Sequence, residues 1–216
     1  MSLIKYNNRS IKDLTTTPTA AGGGDTGALV HIKTLTASSS ATLSFVDGTD
    51  SVVLDSTYPI YKFEFINIHP ATNEKSFTFN MSIDAGSNYN VTKTTTMFRA
   101  LNAENDSTAS LSYDTNRDLA QSTAFQILMR QIGNAADKSG SGSLILFNPS
   151  STTFVKHFIH NSNCYLADIG GETDGPENDF VAGYGNTTSA VDAIRFQMDS
   201  GNIDAGKIKL YGIKDS

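Results

Sequence analysis

Residues 76–84 alternate without a break. Phe77, Phe79, Met81 and Ile83 take the odd positions, and Ser76, Thr78, Asn80, Ser82 and Asp84 the even ones. A strand turns successive side chains to opposite faces, so this run predicts a β-strand with one dry and one wet face. The same two-residue period predicts strands at 29–36, 41–46, 51–54, 60–68 and 91–101. Tyr61, Phe63 and Phe65 share one face of the 60–68 strand, with Lys62 and Glu64 on the other. Further strands are predicted at 143–147, 153–160, 164–168, 180–184, 193–198 and 207–213.

One segment is ambiguous. Residues 124–132 fit either a short helix or a strand. A strand is the better reading: Phe125, Ile127 and Met129 then share a face, and the turn Gly140-Ser141-Gly142 leads straight into 143–147 as a hairpin. Leu144-Ile145-Leu146-Phe147 is apolar on both faces and predicts a central strand. Asp47-Gly48, Asn148-Pro149 and Ser200-Gly201-Asn202 supply turns. About ten to twelve short strands at regular spacing predict an all-β fold, a two-sheet antiparallel β-sandwich of jelly-roll type spanning 28–216.

Residues 1–27 break the pattern. The run Thr15-Thr16-Thr17-Pro18-Thr19-Ala20-Ala21 ends in Gly22-Gly23-Gly24 and has no apolar period. It reads as an extended N-terminal arm with Gly22, Gly23 and Gly24 as a hinge. Leu3, Ile4, Tyr6, Ile11 and Leu14 are its apolar anchors for docking on a partner.

Composition narrows the function. Hydrophobic residues make up 38%, the net charge is −6 and the pI is near 5.1. No basic stripe is present, which argues against nucleic acid as a partner. Cys164 is the single cysteine, so no intrachain disulfide can form and stability must come from packing within or between subunits. No apolar run has the length of a membrane span, and the start Met1-Ser2-Leu3-Ile4-Lys5-Tyr6 lacks the apolar core of a signal peptide.

Candidate chemistry is sparse. His157, His160 and Cys164 have a zinc-like spacing, but an odd separation sends the two histidines to opposite faces of a strand. The acidic stretch 168–179, with 170–178 read as a loop, carries five carboxylates but lacks the ligand order of a calcium-binding EF-hand. No G-x-S-x-G elbow, P-loop or H-E-x-x-H motif occurs, so no cofactor, metal or catalytic residue is expected and the protein reads as a non-enzyme. Tyr165, Tyr184 and Asp174 lie where loop residues could stack on and hydrogen-bond a glycan or receptor.

Several stretches are similar to a family of virion proteins of tailed bacteriophages, especially marine phages of cyanobacteria and similar hosts. They are 32–45 (IKTLTASSSATLSF), 54–58 (LDSTY) leading to 67–72 (NIHPAT), 146–153 (LFNPSSTT), 183–194 (GYGNTTSAVDAI) and 200–212 (SGNIDAGKIKLYG). Residues 7–14 (NNRSIKDL) also look like the start of such proteins. The resemblance covers 28–213 and implies a structural protein on the exterior of the virion: a capsid decoration or head-fibre protein, or a tail-associated one. Its partners would be capsid or tail proteins, and its oligomer, by analogy with fibres and spikes, a homotrimer. The alternative is a tail-fibre-like adhesin that binds a host surface glycan during host attachment.

Overall fold

A computed structural model of the chain describes residues 29–167 and 174–215. They form twelve strands and no helix: β1 (Leu29–Thr36), β2 (Leu43–Val46), β3 (Ile60–Pro70), β4 (Lys75–Ser82), β5 (Lys93–Asn102), β6 (Ala109–Tyr113), β7 (Gln126–Ile132), β8 (Gly140–Phe147), β9 (Lys156–Leu166), β10 (Gly175–Gly185), β11 (Ala193–Met198) and β12 (Ile203–Ile213). Leu3, Ile4, Tyr6, Ile11, Leu14 and the Gly22–24 hinge lie outside the described residues, as do 168–173 of the acidic stretch.

Every pairing is antiparallel, and the main path runs β1-β12-β3-β8-β9-β7-β4-β11-β2. The all-β expectation holds, but the ladder is one continuous sheet that nearly closes on itself. Two joints bring this about. The first is the single pair Ile132–Leu166, which joins β7 to β9. The second is the corner after β1. Ala37 N–H still donates to the Gly206 carbonyl at 2.9 Å, and Ser40 bridges Ile203, before β2 leaves to pair with β11. The two ends of the path therefore meet at residues 37–42. Gly206, at φ +123, takes the bulge in β12 at this corner, a conformation in which a side chain would be strained. β10, β5 and β6 branch from the other edge of β9 as a three-strand flap.

The core is aromatic. The Phe196 ring has Phe45, Phe63, Phe65, Phe77 and Phe79 around it at centroid distances of 5.2 to 6.4 Å. Such ring pairs add roughly 0.5–1.5 kcal/mol each beyond the area they bury. Tyr61, Phe63 and Phe65 are buried as their spacing predicts. Gln126–Ile132 form the strand β7 in place of the helix alternative. The expected hairpin is not formed: β7 pairs with β4 and β9, Gly140-Ser141-Gly142 lie within β8, and a bulge sets Ile127 opposite Thr78 and Met129 opposite Phe77, on different faces.

Other expectations need correction. Residues 51–54 are not a strand: Val52 N–H closes a turn on the Thr49 carbonyl, and Asp47 Oδ1 accepts from Leu54 N–H at 2.8 Å. The strands expected at 153–160 and 164–168 are one continuous β9, paired with β10 throughout. β8 is central in its pairing, yet only Leu144 and Leu146 are buried; Ile145 and Phe147 face outward. Part of the acidic loop expected at 170–178 belongs to β10, which begins at Gly175.

The largest correction concerns β4. Its even positions are buried along with its odd ones. The polar face is dry because the start of β5 and the segments 89–91 and 117–126 lie over it, and each polar atom has a protein partner instead of water. Asn80 shows how. Its Nδ2 donates to the carbonyls of Tyr89 and Thr123, and its Oδ1 accepts from Met81 N–H and from Lys93 Nζ.

Candidate functional site

Three clusters outside the aromatic core hold the candidate chemistry. The first lies on the outer face of β8, β9, β10, β5 and β6. Residues opposite one another in an antiparallel ladder share a face, so the register defines the surface row by row. One row is Ile145–Ile159–Ala182–Thr96. The next is Ser143–Asn161–Phe180–Phe98–Tyr113, in which Phe98 and Phe180 stack with centroids 4.8 Å apart and planes 9° from parallel. His157, Tyr184 and Thr94 form a third row, with the His157 and Tyr184 rings edge-on at 6.0 Å. Phe147, His157, Ile159, Ala182, Tyr184 and Thr96 line an open groove of about 510 Å³. Ile159 is 52% exposed, Phe98 43% and Tyr113 51%. This face offers flat apolar and aromatic surface without a charged group in these rows.

The second cluster holds Tyr165 and Asp174. Lys138 joins them: its Nζ sits 2.6 Å from Asp174 Oδ2 and 4.8 Å from the centre of the Tyr165 ring. The Tyr165 hydroxyl donates to Glu104 Oε1 at 2.8 Å. That hydrogen bond, with burial and the nearby carboxylates, pushes the phenol up to about 12. One ring face and the hydroxyl of Tyr165 are thus already engaged within the protein. Tyr184 is elsewhere. Tyr165 lies opposite Pro176 and Tyr184 opposite His157, eight residues along β9, or about 26 Å. The structure brings Tyr165 and Asp174 together and leaves Tyr184, on β10, at the other end of the β9–β10 ladder.

The third cluster is buried, at the seam where the flap meets β7. Arg130 on β7 forks onto Glu177 on β10, with Nε–Oε1 at 2.7 Å and Nη2–Oε2 at 2.6 Å. Arg99 Nη1 on β5 donates to the same Oε2 at 2.8 Å. Asp114 continues the chain of charges, 2.8 Å from Arg117 and 3.9 Å from Arg99. Asp179 accepts from Arg130 N–H at 3.0 Å through Oδ2, whereas its buried Oδ1 meets no donor. Burial, and then the neighbouring Glu177, push the Asp179 carboxyl far above the usual carboxylate range. A proton held on Asp179 toward Glu177 accounts for both observations. Glu177, expected in the acidic loop, is fully buried. The E-x-D spacing was the available signal: residues 177, 179 and 181 share one strand face, and Val181 is apolar.

Next to this seam, Ser162 Oγ and His160 Nε2 are 2.9 Å apart. A hydroxyl beside an imidazole is the start of a nucleophilic site. Both residues are buried, however, and Nε2 also lies 2.9 Å from the Leu128 carbonyl. Burial lowers the imidazole to about 4 and so keeps it neutral. Cys164 is buried too, and desolvation with Asp179 and Glu177 nearby raises its thiol well above the ordinary value. His157 faces the outer groove while His160 and Cys164 face inward, as their spacing predicts. No group of three or more His, Cys, Asp or Glu side chains among the described residues is placed to hold a metal ion. Two lysines, Lys93 and Lys156, are wholly buried against carbonyl oxygens, and burial pushes the Lys93 ammonium down to about 7. No protein-family model, curated protein or solved structure matches the chain.

Proposed function

We propose that the chain is a non-enzymatic structural protein of a tailed bacteriophage particle, a capsid decoration or head-fibre protein or a tail-associated one. In this reading residues 1–27 dock on capsid or tail protein, the Gly22–24 hinge orients the body, and the body projects from the exterior as a homo-oligomer, a trimer by analogy with fibres. The body is read as a jelly-roll-like sandwich: β1-β12-β3-β8-β9-β10-β5-β6 forms one layer and β7-β4-β11-β2 the other, with the rings around Phe196 between them.

One observation carries this reading. Arg130, Arg99 and Glu177 are paired with one another and Ser162 with His160 in the interior, while four exposed apolar side chains, Ile159, Phe98, Leu111 and Tyr113, share one outer sheet face. A body of this kind offers surface to a partner, and among the described residues the Ser162–His160 pair and Cys164 are buried away from it. Deletion of residues 1–27 tests it: the truncated chain should fail to enter particles, and retention at the full-chain level would refute the docking role.

The second reading is an adhesin that binds host glycan. It is favoured by the groove beside Tyr184, where an aromatic ring flanks an open apolar floor. Glycan-array binding that survives loss of residues 1–27 and disappears in Tyr184→Ala would select it over the first.

A further inference from the structure

The strand β6 is the least protected edge of the sheet. Among the described residues it pairs only with β5. Edge strands are normally guarded by lysine, proline, bulges or short length. β1, at the other end of the layer, has a bulge at His31/Lys33 and carries Lys33, and β2 is only four residues long. Ala-Ser-Leu-Ser-Tyr of β6 has no charge, no proline and no bulge. Leu111 at its centre is 74% exposed, the most of any large apolar side chain described.

The alternation of the ladder shows which backbone groups are free. Ala103 N–H donates to the Thr108 carbonyl, and Asp114 N–H to the Met97 carbonyl. These fix the hydrogen-bonded pairs at 103/108 and 97/114, so Ser110 and Ser112 turn their N–H and C=O toward β5. Ala109, Leu111 and Tyr113 turn theirs away from β5, to the open edge.

We infer that β6 pairs antiparallel with β6 of a second copy of the chain, about a two-fold axis at Leu111. That register opposes Leu111 to Leu111 and sets the small Ala109 against the bulky Tyr113, so the strand is complementary to itself. The free groups of Ala109, Leu111 and Tyr113 then form roughly six backbone hydrogen bonds. The two outer faces join edge to edge, placing the rows that contain Phe98 and Tyr113 on one continuous surface. A two-fold contact needs the same patch on both subunits, and β6 provides it. One five-residue strand covers less than the roughly 1,200–2,000 Å² of a stable interface, so the dimer is weak and depends on concentration. The inference does not rest on the virion reading, and a two-fold contact is distinct from a three-fold one.

Charges of either sign introduced at Leu111 test it, because that position faces itself across the axis. The side chain is exposed, so Leu111→Lys and Leu111→Glu should leave the unfolding curve unchanged. Sedimentation velocity of the full chain, from micromolar to sub-millimolar concentration, should show a monomer–dimer equilibrium. Each variant alone should weaken it by at least about tenfold, since like charges then sit opposite each other. An equimolar mixture of the two variants should restore it. A wild-type chain that stays monomeric throughout would overturn the inference. So would a dimer or trimer that ignores Leu111→Lys, and so would a dimer lost on removal of residues 1–27 but kept in Leu111→Lys, which would assign the contact to the arm.

Discussion

Arg130 and Glu177 meet fork to fork across the seam between β7 and β10, through contacts of 2.7 and 2.6 Å. Ladder pairing is sparse here, with the single pair Ile132–Leu166 linking β7 to β9. A full ladder holds the flap to β9, and side-chain ion pairs tie it to β7.

Removing one partner from this seam should therefore be costly. Glu177→Gln leaves Arg130 and Arg99 without their shared counter-charge, and loss of one member of a buried pair costs about 3–5 kcal/mol. The double variant Arg130→Met/Glu177→Leu should lose less than Glu177→Gln alone, because the buried Arg130 charge goes with its partner and only Arg99, which keeps Asp114 at 3.9 Å, then lacks Glu177. Urea unfolding of the three chains checks the order.

The buried titratable groups predict a distinctive pH profile. Asp179 is raised to about 8 from 3.8, so its protonated form is the native one; its stability contribution is complete below pH 4 and is lost as pH rises toward 8. His160 is lowered to about 4 from 6.5, so stability rises with pH across that interval. Lys93 is lowered to about 7 from 10.5, giving a rise between those values, and Lys156 acts in the same direction. The slopes of Asp179 and His160 oppose each other from pH 4 to 6.5, and those of Asp179 and Lys93 oppose from 7 to 8. The wild-type profile should be nearly flat up to pH 8 and climb above it until pH 9, beyond which the raised Cys164 thiol opposes Lys93. Asp179→Asn, whose amide mimics the protonated acid, should climb from pH 4 to 6.5 as well. Urea midpoints across pH would show this; an Asp179→Asn profile identical to wild type would contradict the shared-proton arrangement.

Much of the interior was legible from alternation. The positions of Phe77, Phe79 and Met81, and of Tyr61, Phe63 and Phe65, follow from period two alone, and all are buried. Alternation identifies faces but not what lies over them. Asn80 has the polarity of a wet-face residue, and only the segments around Tyr89 and Thr123, laid over it from elsewhere in the chain, make that face dry. Glu177 escaped for the same reason: a carboxylate beside Gly175 and Pro176 looks like loop until its arginine partners, 47 and 78 positions away, are in place. β6 is short and sits among polar residues, so its five-residue pattern did not stand out from the loop before it. Of the surface candidates, Tyr184 and Tyr165 were both identifiable as aromatic, but their separation along β9 depends on register, which a single chain's composition does not reveal.

Cys164 should be silent toward thiol reagents in the native protein. It is buried beside Arg130, its Sγ donates to the Arg130 carbonyl at 3.4 Å, and its thiol is raised well above the ordinary value, so little thiolate is present at neutral pH. Labelling should proceed at the rate of unfolding and become immediate in urea. Rapid labelling of the folded chain would show that the seam opens locally.

The most direct test of the proposed role is co-sedimentation with particles. Purified phage particles carrying the full chain would be compared with particles assembled with a chain lacking residues 1–27. The full chain should remain with the particles through a density gradient, and the truncated chain should stay in the soluble fraction although its body is folded. Equal retention of both chains, or absence of the full chain from the particles, would contradict the account.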